Sequence, residues 1–230
     1  MKRHPVSIAE IIMLIAVPAV LFICAKYEIA AAAPLTALVA ICSFIPFFAN
    51  FEQSKPTPAE IMPVVVLSAA ATVGRVILTP IPNFQPVSAL CVFTGLYFGR
   101  RSGYLMGAFT ALISNMILGQ GMWTPWQMYG WGVMGFVAGA FAEKGALRPD
   151  RKLGIYIYGI AASFLYGLLL DSWFIVGFIA DINATSMAAA YGAGLIMNLS
   201  HISSTVVFLA LTLTPLGKKI ERVKTKYGIG

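Results

Sequence analysis

Hydrophobic residues run through this chain in long blocks, separated by short clusters of charge, proline and glycine. Eight blocks read as membrane-spanning helices: residues 8–26, 30–50, 59–79, 86–99, 103–118, 127–142, 153–179 and 189–214. Most approach the ~20 residues a helix needs to cross a ~30 Å hydrocarbon core. Two fall short. Segment 86–99 would reach only about 21 Å at helical rise, and 103–118 little further. Their glycines suit a position shielded inside a bundle. Segment 153–179 is long enough to tilt or kink, near Asp171. The fold class expected is all-α, a polytopic membrane helix bundle.

The polar breaks alternate in charge. Lys2 and Arg3 precede the first block, Lys55 follows the second, and Arg100 with Arg101 follow the fourth. Lys144, Arg148, Arg151 and Lys152 follow the sixth; Lys218, Lys219, Arg222, Lys224 and Lys226 follow the eighth. The opposite connections hold only Lys26, beside Glu28, with Arg75 approaching from within a span. Basic connections stay on the cytoplasmic side, so both termini are expected in the cytoplasm of a bacterial plasma membrane. A wrong helix count would break this alternation.

Composition agrees, with 59% hydrophobic and 11% charged residues and a mean hydropathy of +0.81. These values exclude an ordinary soluble domain. The net charge of +7 is explained by topology, and no nucleic-acid partner is expected. Cys24, Cys42 and Cys91 lie inside apolar blocks without ligand spacing, so they read as small buried hydrophobes. No metal site or cofactor is expected, and no P-loop is present. Residues 217–230 form a basic tail suited to a helical extension on anionic lipid.

Candidate chemistry concentrates in a few places. Small residues with three residues between them recur at Ala70/Gly74, Gly95/Gly99, Gly103/Gly107 and Gly135/Gly139, where helix backbones can approach closely. Either internal packing or a docked membrane partner would use such faces. Ala70/Gly74 fits the partner best, because Ser68, Ala69 and Ala71 leave that helix unusually smooth. Arg75 and Asp171 are charges within spans, which face a cavity or a partner because lipid exposure is costly. Two arrangements remain open: a structural ion pair, or contact of Arg75 with an anionic or carbonyl group on a solute. Asn198, His201 and Thr205 recur at helical spacing and read as one interior face.

The outer connections carry recognition-type residues. Pro80-Ile-Pro-Asn-Phe-Gln-Pro86 presents Asn83, Phe84 and Gln85 on a turn stiffened by proline. Gly119-Gln-Gly-Met-Trp-Thr-Pro-Trp-Gln127, followed by Tyr129, offers Trp123, Trp126 and Gln127. Interfacial anchoring is one use of such aromatics. Stacking on a planar ring while amides bond its edge is the other, and it is the reading adopted.

These features resemble the substrate-binding S components of energy-coupling factor (ECF) vitamin transporters. The likeness covers about residues 59–216. It rests on the smooth helix with Ala69, Ala70, Ala71 and Gly74, on the proline-rich outer turn, and on Phe93-Thr-Gly-Leu-Tyr-Phe-Gly99 with Gly103 at a basic corner. Gly121-Met-Trp-Thr-Pro-Trp-Gln127 looks most like the cobalamin-type branch. The first two blocks depart from the six-span pattern, giving an N-terminal transmembrane hairpin (1–55) and a substrate-binding core with its basic tail (56–230).

The resemblance implies capture of a scarce micronutrient outside, and a corrinoid is the expectation. It implies docking on a transmembrane coupling subunit, here through Ala70 and Gly74, and inward release driven by two cytoplasmic ATPases. Solute contacts are expected at Asn83, Phe84, Gln85, Trp123, Trp126, Gln127 and Tyr129, then Arg75 and Asp171. A stand-alone secondary transporter is a competing reading, but one Arg and one Asp make a thin ion-coupling set. A membrane assembly protein would leave the aromatic turns without a purpose. No HExxH, GxSxG or carboxylate pair suggests an enzyme.

Overall fold

The computed structural model describes residues 6–27, 29 and 31–227, and every regular element among them is helical. The expectations placed on Lys2, Arg3, Glu28 and residues 228–230 lie outside the described residues, as do the side chains of Lys224 and Lys226.

Helix α1 (Ile8–Lys26) opens on a capping box, in which the Ser7 hydroxyl accepts from the Glu10 N–H and the Glu10 carboxylate accepts from the Ser7 N–H. The second block is two helices, α2 (Ala32–Cys42) and α3 (Phe44–Gln53), that meet at Ser43. Pro46 has no N–H for the Cys42 carbonyl, and the Ser43 hydroxyl bonds back to the Ala40 carbonyl at 2.6 Å. A second capping box, Thr57 with Glu60, starts α4 (Pro58–Ile77). Then follow α5 (Val87–Phe98), α6 (Arg100–Leu118), α7 (Trp123–Glu143), α8 (Lys152–Phe178) and α9 (Ala184–Tyr227).

Five elements are long and apolar enough to cross a membrane: α1, α2 with α3, α4, α8 and α9. The other three occupy the middle of the bundle. Of the 12 residues of α5, 11 are buried, and at about 18 Å it is far shorter than a bilayer. A helix walled in by protein needs no lipid-facing surface, so α5, α6 and α7 carry small and polar residues that a lipid-facing helix would not.

Three of the four small-residue pairs account for that close packing. A Cβ on Gly95 would run into the backbone of Gly135 and Gly139, one on Gly103 into Gly135, and one on Gly107 into the backbone of Trp131. Gly99, at φ +88°, turns α5 into α6 through a single residue. Gly74 is half-buried and faces the Pro86 ring, whereas Ala70 sits on an exposed stripe of α4 with Met62, Val66 and Val73. The expected Ala70/Gly74 surface is therefore divided between the outside of the bundle and its interior.

The α1–α3 hairpin lies over α6, α7 and α8. Phe47 stacks on Tyr104 with ring centroids 3.7 Å apart, and fully buried Glu10 pairs with Arg101 at 2.7 Å. At the other end of the chain, α9 runs unbroken through Pro215 to Tyr227. Its 44 residues reach about 66 Å, more than twice the ~30 Å core. Lys218, Lys219 and Arg222 are exposed on the part beyond.

Candidate functional site

Where α4, α6 and α8 finish and α5, α7 and α9 begin, the helix ends surround a cavity of about 240 Å³. Arg75 is its organising residue. The Nε donates to Gln85 Oε1 at 3.0 Å, and Nη1 donates to Ser114 Oγ and, at 2.9 Å, to Asn115 Oδ1. Nη2 donates to Gln127 Oε1 at 3.2 Å, and the guanidinium lies 5.0 Å from the Trp131 ring centre. One cation thus ties together α4, the proline-rich turn, α6 and α7. All its partners are neutral.

Each partner is held from behind. The Asn115 amide donates to Gln127 Oε1 at 2.8 Å and to Thr124 Oγ1 at 2.9 Å. With their oxygens turned to Arg75, Gln85 and Gln127 keep their amide nitrogens as donors. The proline-rich turn is fastened to α9: Ser204 bonds both backbone groups of Gln85, Ser200 donates to the Pro82 carbonyl, and the Asn83 amide reaches the Met197 carbonyl at 3.4 Å. Asn83 itself has φ +55°, a left-handed conformation that Asn tolerates.

The aromatic wall is a layered stack. Trp131 lies on Tyr166 at 5.1 Å, Tyr166 meets the His201 ring edge-on at 4.7 Å, and the Trp131 indole N–H donates to Ser88 Oγ at 3.1 Å. Ser88 in turn bonds His201 Nε2. Across the cavity the Asn198 amide donates to the Asp171 carboxylate at 2.7 Å. Gly167 and Gly194 make room for this pair, because a Cβ at either would strike Asn198 or Asp171 respectively.

Arg75 and Asp171 share the cavity without pairing. Ion pairs among the described residues include Arg100–Glu143, Arg101–Glu10 and Arg148–Asp150. Of the expected solute contacts, Arg75, Asn83, Gln85, Gln127 and Asp171 line the cavity. Phe84, Trp123, Trp126 and Tyr129 do not. Phe84 packs against Phe208 at 5.7 Å, and Trp123 is 44% exposed. Trp126 is fully buried in a second apolar cluster with Val17, Leu21, Ala40 and Trp173. Tyr129 donates to the Leu14 carbonyl at 2.8 Å.

The reason is that α7 begins at Trp123, so the stretch expected as a loop is already helical. Residues 127 and 131 then share one face and 126 and 129 another. Ser88, Ser114, Trp131 and Tyr166 were not among the expected site residues. A signal existed for Tyr166, because Ser163, Tyr166, Gly167, Leu170 and Asp171 follow helical spacing. Asn198 and His201 line the cavity as part of their expected interior face. Thr205 on that face bonds Ser163 instead.

A membrane helix bundle with a built polar cavity at one end, rimmed by its own turns, suits a solute-capturing membrane subunit. The family model for the ECF-type riboflavin transporter S component matches residues 57–222, and the chain belongs to that family of transporter components. No curated protein and no solved structure matches the chain.

Proposed function

We propose that this chain captures a flavin-type vitamin from outside the cell and passes it inward when docked on an ECF module. The observation that carries the reading is the Arg75 junction, which joins α4, the proline-rich turn, α6 and α7 around a cavity walled by stacked Trp131 and Tyr166. A planar ring with carbonyls on one edge suits it: the ring lies along the aromatic wall while Arg75 and the free amide nitrogens of Gln85 and Gln127 face the carbonyls. Asp171 and Asn198 suit a hydroxylated tail at the mouth. Asn83, from the stapled turn, completes the rim.

The volume supports this size of solute. About 240 Å³ lies just below the ~300–1,000 Å³ of most ligand pockets, enough for a fused ring with its tail in the mouth. A corrin macrocycle with its nucleotide is far larger. The stretch that suggested a corrinoid is mostly the first turns of α7, which supply one cavity residue and two that face the hairpin.

Orientation follows from charge. The cavity lies at the end opposite Arg100, Arg101, Lys144, Arg148 and Lys152, so positive-inside topology opens it outward and keeps both termini cytoplasmic. The exposed Ala70 stripe of α4, with Gly74 at its edge, is the surface we assign to the transmembrane coupling subunit; two cytoplasmic ATPases complete the importer. Residues 1–55 act as an added hairpin on a core of 56–230, a division supported by a family match that starts at residue 57.

Purified full-length protein, analysed by mass spectrometry and visible absorption for retained small molecules and then titrated with riboflavin, tests the reading. Retained flavin, or saturable quenching of flavin fluorescence, is expected. Recovery of a corrinoid, or absence of any response to riboflavin, overturns it.

A further inference from the structure

Tyr129 has a polar partner that the sequence of another helix explains. In an α-helix the carbonyl of residue 14 accepts from the N–H of residue 18. Residue 18 of α1 is a proline, which has no N–H. The Leu14 carbonyl is therefore left open near the middle of a membrane-spanning helix, where no water is at hand to satisfy it. Tyr129 Oη donates to that carbonyl at 2.8 Å. Tyr129 is 4% exposed and packs in the apolar cluster of Val17, Leu21, Ala40, Trp126 and Trp173.

Two residues before and two after Tyr129 on the same helix stand Gln127 and Trp131, which hold Arg75 from the opposite face. The roll of α7 about its axis decides whether those two side chains reach the guanidinium. Close packing of the α7 glycines against α5 and α6 seats the helix, and a hydrogen bond adds to that seat a restraint at one point that apolar contacts lack. A hydrogen bond to a fixed carbonyl is directional. The Leu14 carbonyl is itself fixed, since α1 is clamped to the α5–α6 corner by Glu10 and Arg101 and to α3 by Asn50 and Ser7 at 2.8 Å.

We propose that Tyr129 is a positioning residue for the solute cavity: by bonding the carbonyl that Pro18 leaves open, it sets the roll of α7 that points Gln127 and Trp131 at Arg75. The added N-terminal hairpin is thereby part of the affinity of the site although none of its described residues lines the cavity. The proposal rests on the reading of this cavity as the solute site, but its geometry can be measured without solute.

The test uses full-length protein carrying Tyr129→Phe, alone and with Pro18→Ala. The phenylalanine keeps the packing and removes the hydroxyl. The alanine gives α1 its own N–H for the Leu14 carbonyl, so it repairs α1 without restoring the link to α7. Spin labels on Ile77→Cys and Met122→Cys, both exposed, with the three native cysteines replaced by alanine, report the α4–α7 distance. Tyr129→Phe is expected to lower thermal stability, broaden that distance distribution and weaken riboflavin binding about three- to ten-fold, the range a single hydrogen bond commands. The double variant is expected to regain stability while the broadened distance and weaker binding persist.

Recovery of all three properties in the double variant would show that the hydroxyl only satisfies α1, and would sink the proposal. An unchanged distance in Tyr129→Phe would sink it as well. Should wild-type protein ignore riboflavin, the flavin reading fails, and the distance measurement still decides for or against Tyr129.

Discussion

The two ends of the bundle hold their arginines in opposite ways. At the corner between α5 and α6, Arg100 pairs with Glu143 and Arg101 with buried Glu10. At the other end, Arg75 is 7% exposed yet is met by Gln85, Ser114, Asn115, Gln127 and the face of Trp131, none of them charged. Cancelled charge at the corner makes a clamp. Uncancelled charge in the cavity leaves a field for a ligand, with positions already set by neutral oxygens that cost no reorganisation on binding. On the proposed reading the same residue type is structural in one place and recognition chemistry in the other, and only its partners distinguish the two.

The contrast can be broken from either side. Arg101→Met strands the Glu10 carboxylate, which is 0% exposed, and removing one member of a buried ion pair costs about 3–5 kcal/mol. A large loss of thermal stability in detergent is expected, partly restored by adding Glu10→Gln, with riboflavin affinity per folded molecule falling by no more than the roughly three- to ten-fold expected of Tyr129→Phe. Arg75→Met should do the reverse. Loss of hydrogen bonds to a charged group, at about 1.5–3 kcal/mol, predicts riboflavin binding weaker by roughly ten- to a hundred-fold in a fluorescence titration. Arg75→Lys should recover only part of it, because an ammonium cannot span Gln85, Asn115 and Gln127 together.

Asp171→Asn sharpens the assignment of the cavity mouth. It keeps the shape beside Gly194 and Asn198 and removes the charge, so binding should weaken by about 1–2 kcal/mol, whereas lumiflavin, a flavin without the hydroxylated tail, should be affected less. The smallest effect belongs to the link between hairpin and core. Lys55 sits at φ +50°, a conformation that costs a residue with a Cβ about 1–2 kcal/mol. Lys55→Gly relieves that strain but adds unfolded-chain entropy, so unfolding should shift by well under about 1 kcal/mol, with no change in binding. A larger fall would mean that Lys55 has a role beyond the turn.

Much of this contrast was readable in advance, residue by residue. Arg75 and Asp171 stood out because a charge inside an apolar block needs a reason to be there. Asn83, Gln85 and Gln127 stood out as amides beside prolines and aromatics. The aromatics themselves misled. Trp126 in the expected loop and Tyr129 just inside the next span look like ligand contacts, but in a helix that starts one turn earlier both face the hairpin. The marker for that start is weak, since Met122 caps the helix without a side-chain bond and Pro125 in the first turn is equally at home in a loop. The glycine pairs left two uses open, and the packed helices decide between them. Spacing marks a close approach but does not name the helix that approaches, and for Gly95, Gly103 and Gly135 it is a neighbour within the chain.

Hydrophobic block length and the alternation of basic breaks were enough to establish a helical membrane bundle, because lipid tolerates no exposed polar backbone and charge sorts the connections between its two sides. Which polar residues meet was a matter for the assembled helices alone. Arg75 reaches residues 10, 39, 40 and 52 positions away, and such meetings depend on the roll and depth of each helix, which close packing sets collectively. The open carbonyl of Leu14 lies between these cases: Pro18 announces the missing donor from one position in the chain, and only the packed bundle supplies Tyr129 to replace it.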